Sequence, residues 1–163
     1  MTNLKNYLEA KVNSRGNKNL NYLSSFFSET ELAILSNKTI SIVGTNGKSS
    51  TANNIAMLLK GLDKSYIAFT SPHLFDYKER MTAHKDLNFN EYIQYLENFE
   101  LKNNINLGYF ESTFLIAAKA FLHNDMDYFI CEAGIGGKYD TTSVIQSKTV
   151  VLTSIGLDHT DIL

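Results

Sequence analysis

Four short apolar segments, separated by stretches with a helical pattern, constrain the fold of this chain more than any other feature. The segments are Thr39–Val43, Ser65–Phe69, Asp127–Cys131 and Thr149–Ile155. Most of them lack the alternation of apolar and polar residues, which is typical of parallel strands covered on both faces. Strands that alternate with helices predict an α/β fold built on a parallel sheet.

The segments between these strands carry the helical patterns. Apolar residues at helical spacing predict helices over residues 52–62, 92–99 and 110–122, each with one apolar face. The first 36 residues predict two or three short helices with a break at NSRGNKN, and residues 78–90 predict an irregular or hairpin excursion. The helices would therefore lie between and before the strands.

Composition narrows the class of protein. A chain of 163 residues with 44% hydrophobic and 20% charged residues is sufficient for one globular domain with a real core. The net charge of −2, without a basic stripe, does not favour a nucleic-acid partner. Cys131 is the single cysteine, so no disulfide framework is expected. The chain shows neither a leader nor an apolar run of membrane-spanning length, which predicts no membrane partner and a cytoplasmic protein.

The loop after the first predicted strand has the residue order of a phosphate-binding loop. Gly44 to Ser49 form the pattern G-x-x-G-K-S, and a helix-forming stretch follows. Glycines let backbone N–H groups approach phosphate oxygens, and the start of the helix adds partial positive charge. Lys48 can reach the phosphates, and a hydroxyl just after it can hold Mg²⁺. A glycine-containing turn with a solvated lysine is the simpler alternative.

Three polar side chains follow the other predicted strands. Ser71 comes after the second strand, Glu132 ends the third, and His159 follows the fourth. Each also has a simpler interpretation, namely a turn residue, a solvated strand end and a structural histidine. Because the carboxyl ends of parallel strands share one sheet edge, we expect all three side chains to meet the loop in one crevice. This set of oxygen and nitrogen ligands predicts a magnesium nucleotide site.

Five blocks of the sequence carry a resemblance to a known family. The blocks are GTNGKSST, FTSPHLFDYKERM, YFESTFLIAAKAF, EAGIGGKYDTT and TSIGLDHTDIL. In this order and rough spacing, over about residues 40–163, they resemble the folylpolyglutamate and dihydrofolate synthases of the Mur ligase superfamily. The resemblance implies an α/β, parallel-sheet P-loop ATPase-type domain of the Mur ligase kind over residues 39–163. Residues 1–38 match only loosely, and their own pattern predicts a helical segment before this domain.

The same resemblance implies a reaction and its participants. The family joins glutamate to folates or to dihydropteroate through an acyl phosphate, with ATP and Mg²⁺ as cofactors. The residues implied for the nucleotide are Gly44, Thr45, Asn46, Gly47, Lys48, Ser49 and Ser50, and the catalytic set is Lys48, Glu132 and His159. The residues implied for the metal are Ser71, Glu132 and His159, and those for the folate side are Tyr109, Phe110, Glu111, Ser112, Lys138, Tyr139 and Asp140.

Some features leave alternatives open. Ser49 stands where the folate enzymes usually have glycine, so either Ser49 or Ser50 could meet the metal. A cell-wall Mur-type ligase and a nucleotide-binding module without ligase activity remain alternative functions. Family members are considerably longer and commonly monomeric, and this chain ends inside a core block. We therefore expect an amino-terminal fragment whose ATP-binding domain is incomplete at the carboxyl end, and which does not ligate alone.

Overall fold

The computed structural model describes residues 3–12 and 19–156. Its helices are α1 (Leu4–Glu9), α2 (Leu20–Ser24), α3 (Glu29–Lys38), α4 (Lys48–Gly61), α5 (Ile93–Asn103) and α6 (Tyr109–His123). Its strands are β1 (Thr39–Val43), β2 (Tyr66–Phe69), β3 (Met81–Ala83), β4 (Tyr128–Glu132) and β5 (Thr149–Leu152). Short 3₁₀ turns cover Tyr77–Arg80, Phe89–Tyr92 and Thr141–Val144. The four predicted strands and the predicted helices are all present.

The five strands form one sheet in the order β3-β2-β4-β1-β5. β2, β4, β1 and β5 run parallel to one another, which confirms the predicted α/β fold on a largely parallel sheet. The fifth strand, β3, pairs antiparallel with β2 at one edge. It arises from the segment that the sequence predicted only as irregular or hairpin.

Helices cover both faces of the sheet, which explains why the strands are apolar on both sides. On one face, α4 packs Ala52, Ala56 and Leu59 over β1, β2 and β4 in a small apolar cluster. On the other face, a much larger cluster surrounds α6, whose residues 111–121 are all buried. The apolar core on the α6 face of the sheet is therefore much larger than the core on the α4 face. Within the described residues, no helix is both long enough and apolar enough to cross a bilayer.

The helices before β1 belong to the larger cluster. Leu4, Leu8, Leu23 and Leu35 are buried in it together with α6. Polar contacts add to this packing, because Lys11 pairs with Glu100 of α5 at 2.5 Å and Lys119 of α6 pairs with Glu31 of α3 at 2.5 Å. The division of the chain at residue 38 stays a prediction.

Local sequence explains where individual helices begin and end. Ser28 and Glu31 form a capping box at the start of α3, in which each side chain bonds the backbone N–H of the other residue. Leu62 was predicted to share the buried face of α4. It lies instead just beyond the last helical residue and is 69% exposed, because the chain leaves the helical path at Gly61.

Candidate functional site

The predicted phosphate loop joins β1 to α4 at the carboxyl edge of the sheet. Gly44 has a φ of +136° and Gly47, the residue before α4, has a φ of +82°, so both use backbone conformations that favour glycine. The ammonium group of Lys48 donates hydrogen bonds to the carbonyl oxygens of Gly44 (2.8 Å) and Thr45 (3.1 Å). The loop thus curls around its own lysine, which holds a positive charge at the start of α4.

Glu132 is a buried carboxylate beside this loop. It ends β4 and is 1% exposed. Its Oε1 accepts a hydrogen bond from the Ser49 hydroxyl (2.9 Å), and its Oε2 accepts one from the backbone N–H of Ser71 (3.0 Å). Burial raises the pKa of Glu132 above its ordinary value, although the Ser71 and Ser49 hydrogen bonds and the charges of Lys48 and Arg80 act in the opposite direction. The ionised carboxylate is therefore held at a net cost to the fold.

A cleft of ≈ 290 Å³ opens beside the loop. Its wall is formed by the loop, by the glycine-rich turn after β4 and by the segment after β5. The lining residues are Val43, Gly44, Thr45, Lys48, Gly134, Ile135, Gly136, Gly137, Leu152, Ser154, Ile155 and Gly156. Glycines and apolar side chains make up most of this wall, and Lys48 is the one charged residue among those named.

A second group of polar side chains lies across the sheet edge, around Arg80. The Arg80 guanidinium stacks over the Tyr109 ring with 5.1 Å between its central carbon and the ring centroid, and its Nε donates to His73 Nδ1 at 2.8 Å. Burial lowers the pKa of Arg80, while Tyr109 and Glu132 act in the opposite direction. Arg80 and His73 were not identified as site residues from the sequence. Arginine is rare in this lysine-rich chain, with Arg15 and Arg80 its two examples, and this rarity could have drawn attention to Arg80.

Asp140 organises the glycine-rich turn after β4. Its Oδ2 accepts from the backbone N–H groups of Gly134 (3.1 Å) and Ile135 (3.4 Å), while its Oδ1 accepts from the backbone and hydroxyl of Thr142 (2.9 and 2.6 Å). A β-carbon at Gly134 would lie 3.1 Å from the Phe110 ring. The turn, Asp140 and Phe110 are consequently in close contact.

The remaining predicted residues are placed less favourably for binding a ligand. Glu111 and Ser112 are buried in α6, and Glu111 accepts a hydrogen bond from Thr141 at 3.3 Å, so neither lines the cleft. Lys138 and Tyr139 lie on the surface, where the Lys138 ammonium is 5.2 Å from the Tyr139 ring centroid. Ser50 lies in the first turn of α4, and the structure places Ser49, not Ser50, against Glu132.

The predicted metal ligands are only partly accounted for. Ser71 and Glu132 are adjacent, although the contact uses the backbone of Ser71 and not its hydroxyl. His159 lies outside the described residues. Across residues 3–12 and 19–156, no group of three or more His, Cys, Asp or Glu side chains is arranged to hold a metal ion.

Comparison with known proteins places this arrangement in a family. No protein-family model matches the chain. A dihydrofolate synthase/folylpolyglutamate synthase of Buchnera aphidicola (subspecies Schizaphis graminum) is 37% identical over 165 residues, a match that covers 96% of this chain and 38% of that protein. The chain therefore spans about two fifths of the length of this relative.

Solved structures agree with the sequence comparison. Escherichia coli FolC in complex with DHPP and ADP matches with a TM-score of 0.81 and 30% identity, over 96% of this chain and 38% of that one. An FPGS–AMPPCP–folate complex matches with a TM-score of 0.79 and 26% identity, over 96% of this chain and 40% of that one. Because a relative that is 37% identical and solved structures with TM-scores near 0.8 each match 96% of the chain, this protein belongs to the folylpolyglutamate/dihydrofolate synthase family.

Proposed function

We propose that this chain carries the phosphate-binding part of an ATP-dependent ligase that adds glutamate to folates, to dihydropteroate or to both. The observation that carries the proposal is the phosphate loop at the sheet edge, whose Ser49 hydroxyl is bonded to the buried carboxylate of Glu132. Relatives crystallised with ADP, and with AMPPCP and folate, support a nucleotide and a folate as ligands.

The chemistry of such a ligase has two steps. A carboxylate oxygen of the folate attacks the γ-phosphorus of ATP, the bond from that phosphorus to the bridging oxygen breaks, and ADP leaves. The amine nitrogen of glutamate then attacks the acyl carbon and phosphate leaves, with the surplus amine proton released. Lys48 and the N–H groups at the start of α4 would neutralise the charge of the transferring phosphoryl group, which is the main task of a protein in phosphoryl transfer.

Magnesium is the proposed metal. Glu132 is a buried carboxylate, and its hydrogen-bond donors among the described residues, the Ser49 hydroxyl and the Ser71 N–H, are both neutral. These hydrogen bonds leave the negative charge of Glu132 available to a hard divalent cation. We propose that Glu132, a hydroxyl from Ser49 or Ser50, Ser71 and His159 hold the ion. When bound, Mg²⁺ would neutralise phosphate charge next to Lys48.

The folate side is proposed to lie across the sheet edge from the loop. Phe110 and Asp140 lie against the turn after β4. Arg80, stacked on the Tyr109 ring, adds a half-buried cation suited to an anionic or planar partner. Lys138 and Tyr139 could join from the surface. A monomeric, cytoplasmic enzyme without nucleic-acid or membrane partners stays a prediction.

Two other functions were open from the sequence. A cell-wall Mur-type ligase is favoured by Ser49 after the loop lysine, but the agreement with folate enzymes over 96% of this chain favours the folate reaction. A nucleotide-binding module without ligase activity would keep the loop and Glu132, and it is distinguished by experiment.

The decisive experiment is a product assay. The protein expressed from its complete reading frame is incubated with ATP, Mg²⁺, glutamate and either dihydropteroate or a reduced folate. We expect phosphate release that requires all three substrates, and a product heavier by one glutamyl residue in mass spectrometry. ADP binding without any glutamylated product would favour the binding module, and a product formed only with cell-wall precursors would favour the other ligase. Residues 1–163 expressed alone are expected to bind nucleotide weakly and to add no glutamate.

Replacement of Phe110 by alanine tests the folate side. Phe110 packs edge-on against Phe69, with ring centroids 5.3 Å apart, and it borders Gly134 at the proposed folate site. Loss of stacking and burial of about 1 kcal/mol should raise the KM for folate about fivefold and leave the KM for ATP nearly unchanged.

Phe114→Ala is the matched control for this test. Phe114 lies one turn further along α6, also contacts Phe69 and is fully buried. It should lower the unfolding temperature without a selective effect on the folate KM. Equal changes in both KM values of Phe110→Ala would mean that Phe110 is a core residue and not a folate contact.

A further inference from the structure

The segment that follows β5 lies across the phosphate loop. We call residues 153–156 the strap. The carbonyl oxygen of Ser154 accepts a hydrogen bond from the Thr45 N–H (2.8 Å), and Gly156 and Thr45 exchange two more through the Thr45 hydroxyl (3.0 and 3.2 Å). The loop is thus joined to a segment more than a hundred residues away in sequence, at the wall of the cleft.

The Ser154 side chain makes the most specific of these contacts. Its hydroxyl oxygen accepts from the Asn46 N–H at 3.0 Å, and the hydroxyl donates to the Asn46 carbonyl oxygen at 3.1 Å. One serine therefore satisfies both backbone groups of Asn46. A side chain must both accept and donate to do this, which alanine cannot.

Gly44 shows how closely the strap approaches the loop. A β-carbon at Gly44 would lie 2.3 Å from the Thr153 hydroxyl and 2.8 Å from the Ser154 carbonyl oxygen. Glycine is therefore required at position 44 for space as well as for its φ of +136°. The fit between strap and loop is built into the loop sequence itself.

The strap also divides the N–H groups of the loop into two sets. Those of Thr45 and Asn46 already have partners in the strap. The first N–H groups of α4 have no intrahelical partner, and Gly47 supplies no side-chain cap. Within residues 3–12 and 19–156, the N–H groups of Gly47, Lys48 and Ser49 make no hydrogen bond that a phosphate would have to break. Hydrogen bonds from the N–H groups of Thr45 or Asn46 to a phosphate would instead require their bonds to the strap to break.

We propose that Ser154 is a positioning residue for phosphate binding, and that the N–H groups of Gly47, Lys48 and Ser49 take the phosphate while those of Thr45 and Asn46 shape the loop. The proposal rests on the proposed nucleotide function. It changes the roles expected from the sequence, in which Thr45 and Asn46 held phosphate directly. Ser154 itself acts through Asn46.

The first test needs no nucleotide. Amide hydrogen exchange by NMR should show protected Thr45 and Asn46 amides in the unliganded protein. Ser154→Ala should speed exchange at Asn46, Ser154→Thr should retain the protection because it keeps the hydroxyl, and Ser147→Ala should have no effect there. Ser147 is a matched control, since its hydroxyl bonds that of Ser41 at 2.7 Å ahead of β5, at the other end of the strand.

The second test measures binding of ADP in the presence of MgCl₂ by calorimetry. Loss of the loop's fixed shape should weaken binding about tenfold in Ser154→Ala, a net loss of about 1.4 kcal/mol, with near-normal affinity in Ser154→Thr and Ser147→Ala. On ADP addition, protection should rise at Gly47, Lys48 and Ser49 and stay constant at Thr45 and Asn46.

The outcomes separate this inference from the proposed function. Wild-type binding that Lys48→Ala weakens and Ser154→Ala leaves unchanged would overturn the role of Ser154 and retain the nucleotide site. Weaker binding by Ser154→Ala with unchanged Asn46 exchange would also overturn it, because Ser154 would then contact the ligand directly. Absence of ADP binding by the wild-type protein would overturn both.

Discussion

Replacement of Lys48 by alanine is expected to lower ATP-dependent turnover of the proposed ligase by about a hundredfold or more. The Lys48 ammonium lies at the mouth of the loop, held by the Gly44 and Thr45 carbonyl oxygens, at the start of α4. From there it can move to the phosphate oxygens, where it would stabilise charge that is transferred in the reaction. The measurement is phosphate release by the protein from its complete reading frame.

The control for this prediction lies on the same helix. Lys60 is exposed in the last turn of α4, far from the loop, and Lys60→Ala should retain full turnover. A folded Lys48→Ala variant with near-normal turnover would remove Lys48 from the mechanism. Circular dichroism and unfolding temperatures of both variants establish that the comparison is between folded proteins.

Replacement of Glu132 by glutamine is expected to make the protein more stable and less able to use a metal. Burial raises the pKa of this carboxyl in the folded protein, so the folded state binds its proton more tightly than the unfolded chain does. The contribution of Glu132 to stability is then fully present below the unfolded pKa and is lost as pH rises through the folded pKa. At neutral pH the ionised carboxylate costs stability that an uncharged amide would not.

Glutamine can also keep both hydrogen bonds of Glu132. The side-chain amide oxygen of glutamine can accept a hydrogen bond from the Ser71 N–H, and the amide NH₂ can donate one to the Ser49 hydroxyl oxygen. We expect the unfolding temperature of Glu132→Gln to rise by a few degrees at pH 8, with a smaller difference from wild type in acid. Magnesium should no longer strengthen ADP binding.

A matched control isolates the effect of burial. Glu97 is exposed on α5, and Glu97→Gln removes the same charge without changing a buried group. It should alter neither the unfolding temperature nor the magnesium dependence. A Glu132→Gln variant that is less stable than wild type at pH 8 would contradict this prediction. It would mean that the surrounding residues already stabilise the charge of the Glu132 carboxylate and that the site does not need a metal ion.

The fold could largely be predicted from the sequence, because its signals are local and strong. The four parallel strands are apolar runs, and the inner strands β2, β4 and β1 are packed against helices as that pattern indicates. The edge strand β5 is instead largely exposed, with Val150 and Leu152 each 57% accessible. β3 was not predicted as a strand, since three residues at a sheet edge, of which Met81 alone is buried, leave no periodic signal. Leu62 was misplaced because the periodicity of α4 does not reveal where the helix ends.

The site was predictable where its residues form one motif or directly follow the ends of parallel strands, as Glu132 beside Ser49 and Ser71 shows. The loop from Gly44 to Ser49 is one contiguous motif. By contrast, the Asn46–Ser154 contact joins residues 108 positions apart, and neither partner alone indicates the other. The burial of Glu111 and Ser112 could not be foreseen from an apolar stripe, because residues 111–121 of α6 are enclosed all round instead of along one face.

That enclosure has a mechanical consequence. α6 packs against the sheet, against the helices before β1 and against α5, and its Lys119 forms an ion pair with Glu31 of α3. Tyr109 and Phe110, in its first turn, are thereby carried on the most deeply buried helix of residues 3–12 and 19–156. Any adjustment to a substrate would therefore come from the segments around α6. These are the turn after β4, which is hydrogen-bonded to Asp140, and the segment that carries His73 and Arg80.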